Sequence, residues 1–224
     1  MIADVILAGP EPGRDCPLCP RLASFRQHWR VEQPGWHNAP VRSFGDRNGR
    51  LLIVGLAPGL RGANRTGRPF TGDYAGELLY KTLLTFGFAI GTYRADPADG
   101  LTLQDALIAN AVRCVPPENK PLPVEINTCR PFLAATIATM PRLSAIVTLG
   151  RIAHESTLPA LGAKRSGFPF AHAAAHAIRP GLTLFDSYHC SRYNTNTGRL
   201  TEAMFMEVFA AVRRAIDSRA EIAV

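Results

Sequence analysis

Side chains that could carry out chemistry are concentrated in a glycine-rich segment at positions 51–76, LLIVGLAPGLRGANRTGRPFTGDYAG. Glycine allows positive φ angles and lets a ligand approach the backbone closely. The segment also carries Arg61, Arg65 and Arg68, the aromatic Phe70 and the carboxylate Asp73. A strand-to-helix connection needs only about two to six residues, whereas this one runs from position 55 to 73. The pattern predicts a binding loop, with the alternative that Asp73 only caps the following helix.

A second reactive segment, at positions 186–199, contains His189, the thiol of Cys190 and several hydroxyl, amide and guanidinium groups. Such groups bind phosphates and sugars, the contacts that position a protein on DNA. A lone histidine at a strand end is more often structural than catalytic, but the expected convergence of this loop with the glycine-rich segment favours a catalytic role for His189. We predict Cys190 to be a free thiol. We assign no ligand role to the remaining histidines considered, which have no carboxylate or cysteine at ligand spacing: His154, His172 and His176.

Four further cysteines form the pattern of a metal site. Cys16 and Cys19 are a C-x2-C pair, whereas fourteen residues separate Cys114 from Cys129. A zinc ribbon would show two close pairs. One close pair with two single thiolates fits a cubic [4Fe–4S] cluster. Zinc and scattered buried thiols remain the alternatives, since free cysteine is commonly buried.

The composition describes a globular chain with an excess of positive charge. Its 224 residues are 46% hydrophobic and carry a formal net charge of +7, which fits one domain over residues 1–224 and favours a polyanionic partner. No apolar stretch has the length of a membrane span, and the N-terminus does not have the pattern of a signal peptide. We therefore expect a cytoplasmic protein with reduced thiols and no membrane contact.

Strand and helix patterns alternate along the chain. Buried strands are predicted at 51–54, 107–112, 144–149 and 182–186, and helices at 21–29, 75–86, 124–139, 152–157 and 201–215. This order indicates an α/β protein with a mostly parallel sheet and helices on both faces. Parallel crossovers place the strand ends at one edge. The loops after Gly55, Val112 and Asp186 should therefore form one composite site.

Three motifs together resemble the uracil-DNA glycosylase superfamily, specifically its family 5 (type b) of bacteria and archaea. They are Gly-Leu-Ala-Pro-Gly at 55–59 with the segment from Gly62 to Asp73, the four-cysteine pattern, and His-x-Ser-x-x-Asn at 189–194. The resemblance covers nearly the whole chain. It implies an α/β/α sandwich with a four-stranded parallel sheet, a [4Fe–4S] cluster and hydrolysis of the N-glycosidic bond of uracil in DNA.

The resemblance also implies a role for individual residues. Asp73 falls on the residue that handles water, Asn119 on a further amide of the site, and His189 on the histidine that faces the uracil carbonyl. Phe70 matches the aromatic that stacks on the flipped base, and the cluster ligands would be the cysteines described above. We expect further substrate contacts at Gly55, Ala57, Pro58, Gly59, Asn110, Ser191, Arg192 and Asn194.

Two departures from the family pattern lie in the last loop: Cys190, where proline or a small aliphatic residue is more usual, and the pair Arg192-Tyr193. The predicted protein is a monomeric, monofunctional glycosylase of base excision repair that acts on uracil-containing DNA, with hypoxanthine and ethenocytosine as further candidate substrates. One alternative is an iron–sulfur protein that binds nucleic acid without chemistry. Another is a nucleotide-binding enzyme, which would show a Rossmann or Walker spacing that the glycines lack.

Overall fold

The computed structural model describes residues 9–222. Its central sheet has six strands in the order β1-β5-β2-β6-β8-β7. The four inner strands are parallel, and the two edge strands are antiparallel to their neighbours. The strands are β1 (Phe44–Gly45), β2 (Leu51–Gly55), β5 (Ala106–Asn110), β6 (Ala145–Leu149), β7 (Ala175–Arg179) and β8 (Leu182–Ser187), and β3 (Ala89–Ile90) pairs with β4 (Thr102–Leu103) in a separate ribbon.

Helices cover both faces of the sheet, which confirms the predicted three-layer α/β/α architecture. The α-helices are α1 (Pro20–Glu32), α2 (Ala63–Thr66), α3 (Tyr74–Thr85), α4 (Pro123–Ala138), α5 (Arg151–Ala160), α6 (Arg192–Asn196) and α7 (Glu202–Ile222). No helix in the described part of the chain has the length and apolar character that crossing a membrane requires.

Alternate residues of β2 explain why both faces are covered. Leu51 and Ile53 pack into a core with α3 and α7, whereas Leu52 and Val54 pack into a second core with α4 and α5. Successive side chains of a strand point to opposite faces, and all five residues of β2 are buried. The apolar run of β2 therefore marks a central strand, as expected for a parallel sheet covered on both sides.

The edge strands lie in segments that the sequence predicts as connections. β1 has two residues, too few for a periodic pattern, and β7 alternates between exposed and partly buried positions. The predicted four parallel strands are therefore the centre of a sheet that is extended by one short antiparallel strand on each side.

The strand order determines where a ligand can bind. The chain continues from β2 to β5 on one side, and then returns to β6 on the other side of β2. In open α/β sheets, ligands bind beyond the carboxyl ends of the strands where the connections diverge in this way. The loops after β2, β5 and β8 all begin at this edge.

Candidate active site

A cleft of about 720 Å³ lies at the carboxyl edge of the sheet. It contains residues from all three loops that the sequence predicts to converge. Of the predicted site residues, those that line the cleft are Ala57, Pro58, Gly59, Phe70, Asp73, Asn110, Asn119, His189, Ser191 and Arg192. Gly55 lies directly behind them, against Asn110 and Phe70.

The carboxylate of Asp73 lies at the start of α3 and within the glycine-rich loop. Its Oδ1 accepts a hydrogen bond from the Gly76 N–H at 3.3 Å, so Asp73 is the N-cap of this helix. Its Oδ2 faces the loop, where a Cβ on Gly62 would lie 2.5 Å away. Burial raises the pKa of Asp73, while the N–H groups of Gly76 and Ala75 act in the opposite direction. Asp73 therefore caps α3 through Oδ1, while its Oδ2 is directed at the glycine-rich loop.

Phe70, Gly55 and Asn110 form a closely packed recess at the cleft. A Cβ on Gly55 would lie 2.7 Å from the Phe70 ring and would also collide with the Asn110 amide, so only glycine fits there. Phe70 is 7% exposed and Asn110 is 3% exposed. In the described chain, Oδ1 of Asn110 is buried and has no hydrogen-bond partner. Buried polar atoms are nearly always paired, so this amide is suited to bind a polar ligand.

The main chain around His189 is held by its own loop. The Asn194 amide donates to the His189 carbonyl at 2.8 Å, and Ser191 caps α6 by accepting from the Asn194 N–H. Cys190 is fully buried, and its thiol donates to the Ala75 carbonyl at 3.5 Å. Asn194 lies outside the cleft, in the neighbouring groove, where it orients His189. The loop is therefore ordered by local hydrogen bonds although it lacks the usual proline.

The imidazole of His189 is neutral at physiological pH. Burial lowers the pKa of His189 to about 4. Its ring lies close to that of Phe70, with 6.1 Å between the ring centroids and 29° between the planes. A neutral imidazole can donate a hydrogen bond to a ligand oxygen on which negative charge develops, without a positive charge of its own.

Asn119 reaches the cleft from the loop after β5. This residue ends a single 3-10 turn, Pro117–Asn119, and has a φ of 57°, with Glu118 at 55°. Asparagine tolerates this left-handed conformation better than most residues do. Asn119 is exposed at the cleft rim, whereas Asn110 is buried at its base. The side-chain amides of Asn119 and Asn110 are therefore placed to contact different parts of a ligand.

Comparisons with known proteins identify the family. A family model of the uracil DNA glycosylase superfamily matches residues 42–213. The chain is 43% identical over 206 residues to a type-5 uracil-DNA glycosylase of Thermus thermophilus, which covers 89% of this chain and 93% of the relative. The chain belongs to the type-5 family of this superfamily.

Two other relatives lie at similar distances. A type-5 uracil-DNA glycosylase of Mycobacterium bovis is 40% identical, with 89% of this chain and 77% of the relative covered. One from Pyrobaculum aerophilum is 38% identical, with 87% and 86% covered. The family that the sequence motifs indicate is confirmed.

The four cysteines of the predicted metal site lie around one cavity beneath α1. The Arg113 N–H points at the Cys129 sulfur at 3.3 Å, and Nη1 of Arg26 points at the Cys114 sulfur at 3.5 Å. Burial raises the pKa of Cys114 to about 11 and that of Cys129 to about 12, so thiolates form here only when a cation compensates their charge. All five cysteines of the chain are free of disulfide bonds.

The spacing of these sulfur atoms is too wide for one zinc ion. Within residues 9–222, no three of the four cysteine sulfurs lie within 4.8 Å of one another. A single tetrahedral zinc with bonds of about 2.3 Å would place its sulfur ligands only about 3.8 Å apart. The donor set therefore fits a larger thiophilic centre better than a mononuclear one.

The arginines of the glycine-rich loop do not act alike. Arg61 and Arg65 are exposed beside the cleft, as are Arg192 and Arg199 in the last loop. Arg192 lies over the ring of Tyr74 on the cleft rim, with 5.3 Å to the ring centroid. Arg68, however, is only 4% exposed and faces the interior. The basic surface around the cleft is therefore smaller than the sequence indicates.

Two histidines without a predicted role converge on one buried carboxylate. Nδ1 of His154 lies 2.7 Å from Asp186 Oδ1, and Nε2 of His176 lies 3.0 Å from Oδ2. Thr148 donates to Oδ1 at 2.6 Å, and the second nitrogen of His154 lies 2.8 Å from the Phe168 carbonyl. Both nitrogens of His154 thus face oxygen acceptors, which favours the protonated ring. This network holds the end of β8, three residues before His189.

Sequence reasoning also missed Tyr74, Leu60 and Ala63 as lining residues of the cleft. Each lies within or next to the glycine-rich segment that it identified. Their position in that segment is the sequence feature that could have identified them as lining residues, because their side chains carry no group that indicates a chemical role.

Proposed function

We propose that the protein is a monofunctional uracil-DNA glycosylase, a hydrolase that breaks the N-glycosidic bond of uracil in DNA and leaves an abasic site for base excision repair. The observation that carries this proposal is the recess of Gly55, Phe70 and Asn110, which combines a flat apolar wall with an unpaired buried amide. Uracil presents a planar ring with alternating acceptor and donor groups on its edge, which this pair of groups can bind.

Access to the base requires its extrusion from the duplex. Flipping costs a few kcal/mol of unpairing and unstacking, and stacking on Phe70 would offset on the order of 1–3 kcal/mol of this cost. The oxygen of Asn110 would accept from the uracil N3–H, and its NH₂ would donate to the adjacent carbonyl. Cytosine has an acceptor at N3 and an amino group beside it, so it would face the wrong partner at both positions.

The chemical step separates charge across the bond that breaks. The bonding electrons go to the base, which becomes an anion, while the sugar becomes cationic and adds a water molecule. The water then loses a proton, and the uracil anion gains one, so that the products are the abasic sugar and neutral uracil. His189 would donate to the uracil carbonyl that carries the negative charge, and Asp73 would orient the water and favour the cationic sugar. Asn119 at the rim would help to position the water or the sugar. No lysine is among the described residues that line the cleft, so water is the nucleophile and the DNA strand stays intact.

The cysteine site supports a structural cofactor. We place the [4Fe–4S] cluster on Cys16, Cys19, Cys114 and Cys129, where it would join α1 to the loop after β5 and to α4. Such a cluster is held by four cysteinyl thiolates. Iron–sulfur chemistry is not needed in the hydrolysis itself. The cluster would instead fix the loop that carries Asn119.

The deciding experiment is release of free uracil from duplex DNA with one uracil, with the same duplex bearing thymine as the control. We expect uracil release and an alkali-labile abasic site, without strand cleavage before alkali treatment. Binding of the DNA without release would instead support the alternative of a nucleic-acid-binding iron–sulfur protein. Hypoxanthine and ethenocytosine substrates would define the range of bases. The monomeric state and the cytoplasmic location stay predictions.

A further inference from the structure

Arg68 lies in the glycine-rich loop but is engaged entirely inside the protein. Its Nη1 and Nη2 donate to Oδ1 and Oδ2 of Asp99 at 2.8 and 2.7 Å, and its Nε donates to the Thr71 hydroxyl at 2.7 Å. Asp99 also accepts the backbone N–H groups of Arg94 and Leu101, each at 3.0 Å. A bidentate arginine–carboxylate pair of this kind is directional as well as strong. These bonds use three of the five N–H donors of Arg68, and the side chain is buried, so it is not available to a DNA phosphate.

Three aromatic rings enclose this ion pair. The Arg68 guanidinium carbon lies 5.3 Å from the ring centroid of Phe44, 5.4 Å from that of Tyr80 and 5.8 Å from that of Tyr93. Tyr80 and Tyr93 are themselves stacked, with centroids 4.6 Å apart. The hydrogen bond from Arg68 holds the pKa of Asp99 well below its usual range. The pair therefore stays charged over the working range of pH.

The same two tyrosines hold the backbone of the base-stacking residue. The Tyr80 hydroxyl donates to the Pro69 carbonyl at 2.6 Å, and the Tyr93 hydroxyl donates to the Phe70 carbonyl at 3.1 Å. Phe70 has a φ of 52°, in the left-handed region. A bulky residue stays in that conformation only where its surroundings impose it. Gly76 also packs against the Phe70 carbonyl, since a Cβ at this position would collide with that carbonyl and with the Tyr93 hydroxyl.

We propose that Arg68, Asp99, Tyr80 and Tyr93 form a clamp that holds Phe70 in its left-handed conformation and so preorganises the stacking surface for an extruded base. The inference rests on the proposed function, because it gives Phe70 the role of stacking on uracil. Arg68 and Asp99 are positioning residues, since they act on the base only through Phe70. Because Phe70 is placed before DNA binds, the clamp would increase the stability of the extruded base rather than the affinity for the DNA backbone.

Two duplex probes separate these effects. The first contains 2′-fluoro-2′-deoxyuridine, whose electron-withdrawing fluorine opposes the sugar cation, so that uracil is presented but not released. The second contains a tetrahydrofuran abasic analogue, which has no base to stack. The dissociation constant for the abasic probe divided by that for the uracil probe gives the preference for the uracil probe. This ratio measures base capture alone. The variants are Tyr93→Phe, which removes only one hydroxyl, together with Asp99→Asn and Phe70→Ala.

The matched control is Asp105→Asn. Asp105 accepts from the backbone N–H of Arg50 at 2.8 Å and from its Nε at 2.7 Å. This second arginine–carboxylate pair lies where β2 and β5 begin, at the sheet edge opposite the cleft. Its loss should lower the melting temperature and leave the ratio unchanged. A change in stability is thereby distinguished from a change in base capture.

We expect Tyr93→Phe to reduce the preference for the uracil probe about threefold to tenfold, the effect of one hydrogen bond. Asp99→Asn should reduce it at least as much, and Phe70→Ala on the order of ten- to a hundredfold. Adding Tyr93→Phe to Phe70→Ala should have no further effect on the ratio, because the clamp acts through that ring. Affinity for the abasic probe should stay near that of the unmodified protein.

The opposite results would overturn the inference. If Phe70→Ala lowers the ratio while Tyr93→Phe and Asp99→Asn leave it unchanged, the clamp only stabilises the fold. If Phe70→Ala itself has no effect, the stacking role is wrong and the clamp has nothing to position. An unmodified protein that releases no uracil would refute the proposed function, which is a separate outcome from either of these.

Discussion

Replacing Asp73 with asparagine tests the division between structure and chemistry at the cleft. The variant keeps the shape of the side chain, and asparagine caps helices as well as aspartate does. What it removes is the negative charge at the start of α3, an interaction worth about 0.3–1 kcal/mol with the helix dipole. For a chain of this size, the melting temperature should fall by no more than about 4 °C.

The effect on the rate should be much larger. If the carboxylate lies about 4 Å from the sugar that becomes cationic, an effective dielectric constant of about 20 gives an interaction of about 4 kcal/mol. That energy corresponds to about a thousandfold in the rate of the chemical step. The cleft is suited to an effect of this size, because burial already raises the pKa of Asp73.

The assay is single-turnover release of uracil with enzyme in excess, beside equilibrium binding of the abasic probe. Asp73→Asn should reduce the rate and leave binding nearly unchanged. The rate should also fall on acidification as Asp73 becomes protonated, over a pH range above the ordinary aspartate value because its pKa is raised. That acid limb should disappear in the variant.

A variant with a lower melting temperature and an undiminished single-turnover rate would contradict this reasoning. Asp73 would then serve only as the N-cap of α3, the role that its bond to the Gly76 N–H already demonstrates. The orientation of water would in that case pass to Asn119 and to the loop backbone. Equal losses of rate and abasic-probe binding would instead indicate a general distortion of the cleft.

Further predictions concern the cofactor, the DNA-binding surface and the histidine network. Cys129→Ser should lower bound iron from about four atoms per chain and reduce stability, whereas Cys190→Ser should leave iron unchanged in an elemental analysis. Arg192→Gln should weaken binding to all duplexes alike and make the salt dependence shallower by about one released counterion. Burial lowers the pKa of His154, but the hydrogen bond and charge of Asp186 outweigh it and raise the pKa. The stabilisation that protonated His154 gains from Asp186 is therefore fully present below about pH 6.5 and is lost as the pH rises through the raised pKa of His154. The melting temperature of His154→Gln should lack this pH dependence.

The parallel core and the residues of the cleft could be predicted because both follow from short-range patterns. Each inner strand is an apolar run, and the parallel connection rule places the loop after each strand at the same edge. Phe70 and Asp73, in the loop after β2, could thus be grouped with Asn119, which lies in the loop after β5. The strands β1 and β7 could not be predicted in this way, since two residues or a half-exposed run carry no distinct period.

The partners of buried charges could not be read from the sequence. Arg68 looks like a DNA contact because it lies among exposed arginines, yet its carboxylate partner, Asp99, comes from a turn-rich segment beyond β3. His154 and His176 likewise meet Asp186 only because α5 and β7 pack against β8. These contacts depend on tertiary packing, which residue spacing alone does not encode.

Burial shifts the pKa values of Asp73 and His189 towards the neutral form of each group, but the surroundings of the two side chains differ. Desolvation lowers the pKa of His189 to about 4, and no group opposes it, so the imidazole is neutral. Desolvation also raises the pKa of Asp73, but the N–H groups at the start of α3 favour the carboxylate. Ionised carboxylates are stabilised by such donors. The helix terminus therefore preserves the asymmetry that glycosidic cleavage needs, with an anionic group for the sugar and a neutral donor for the base.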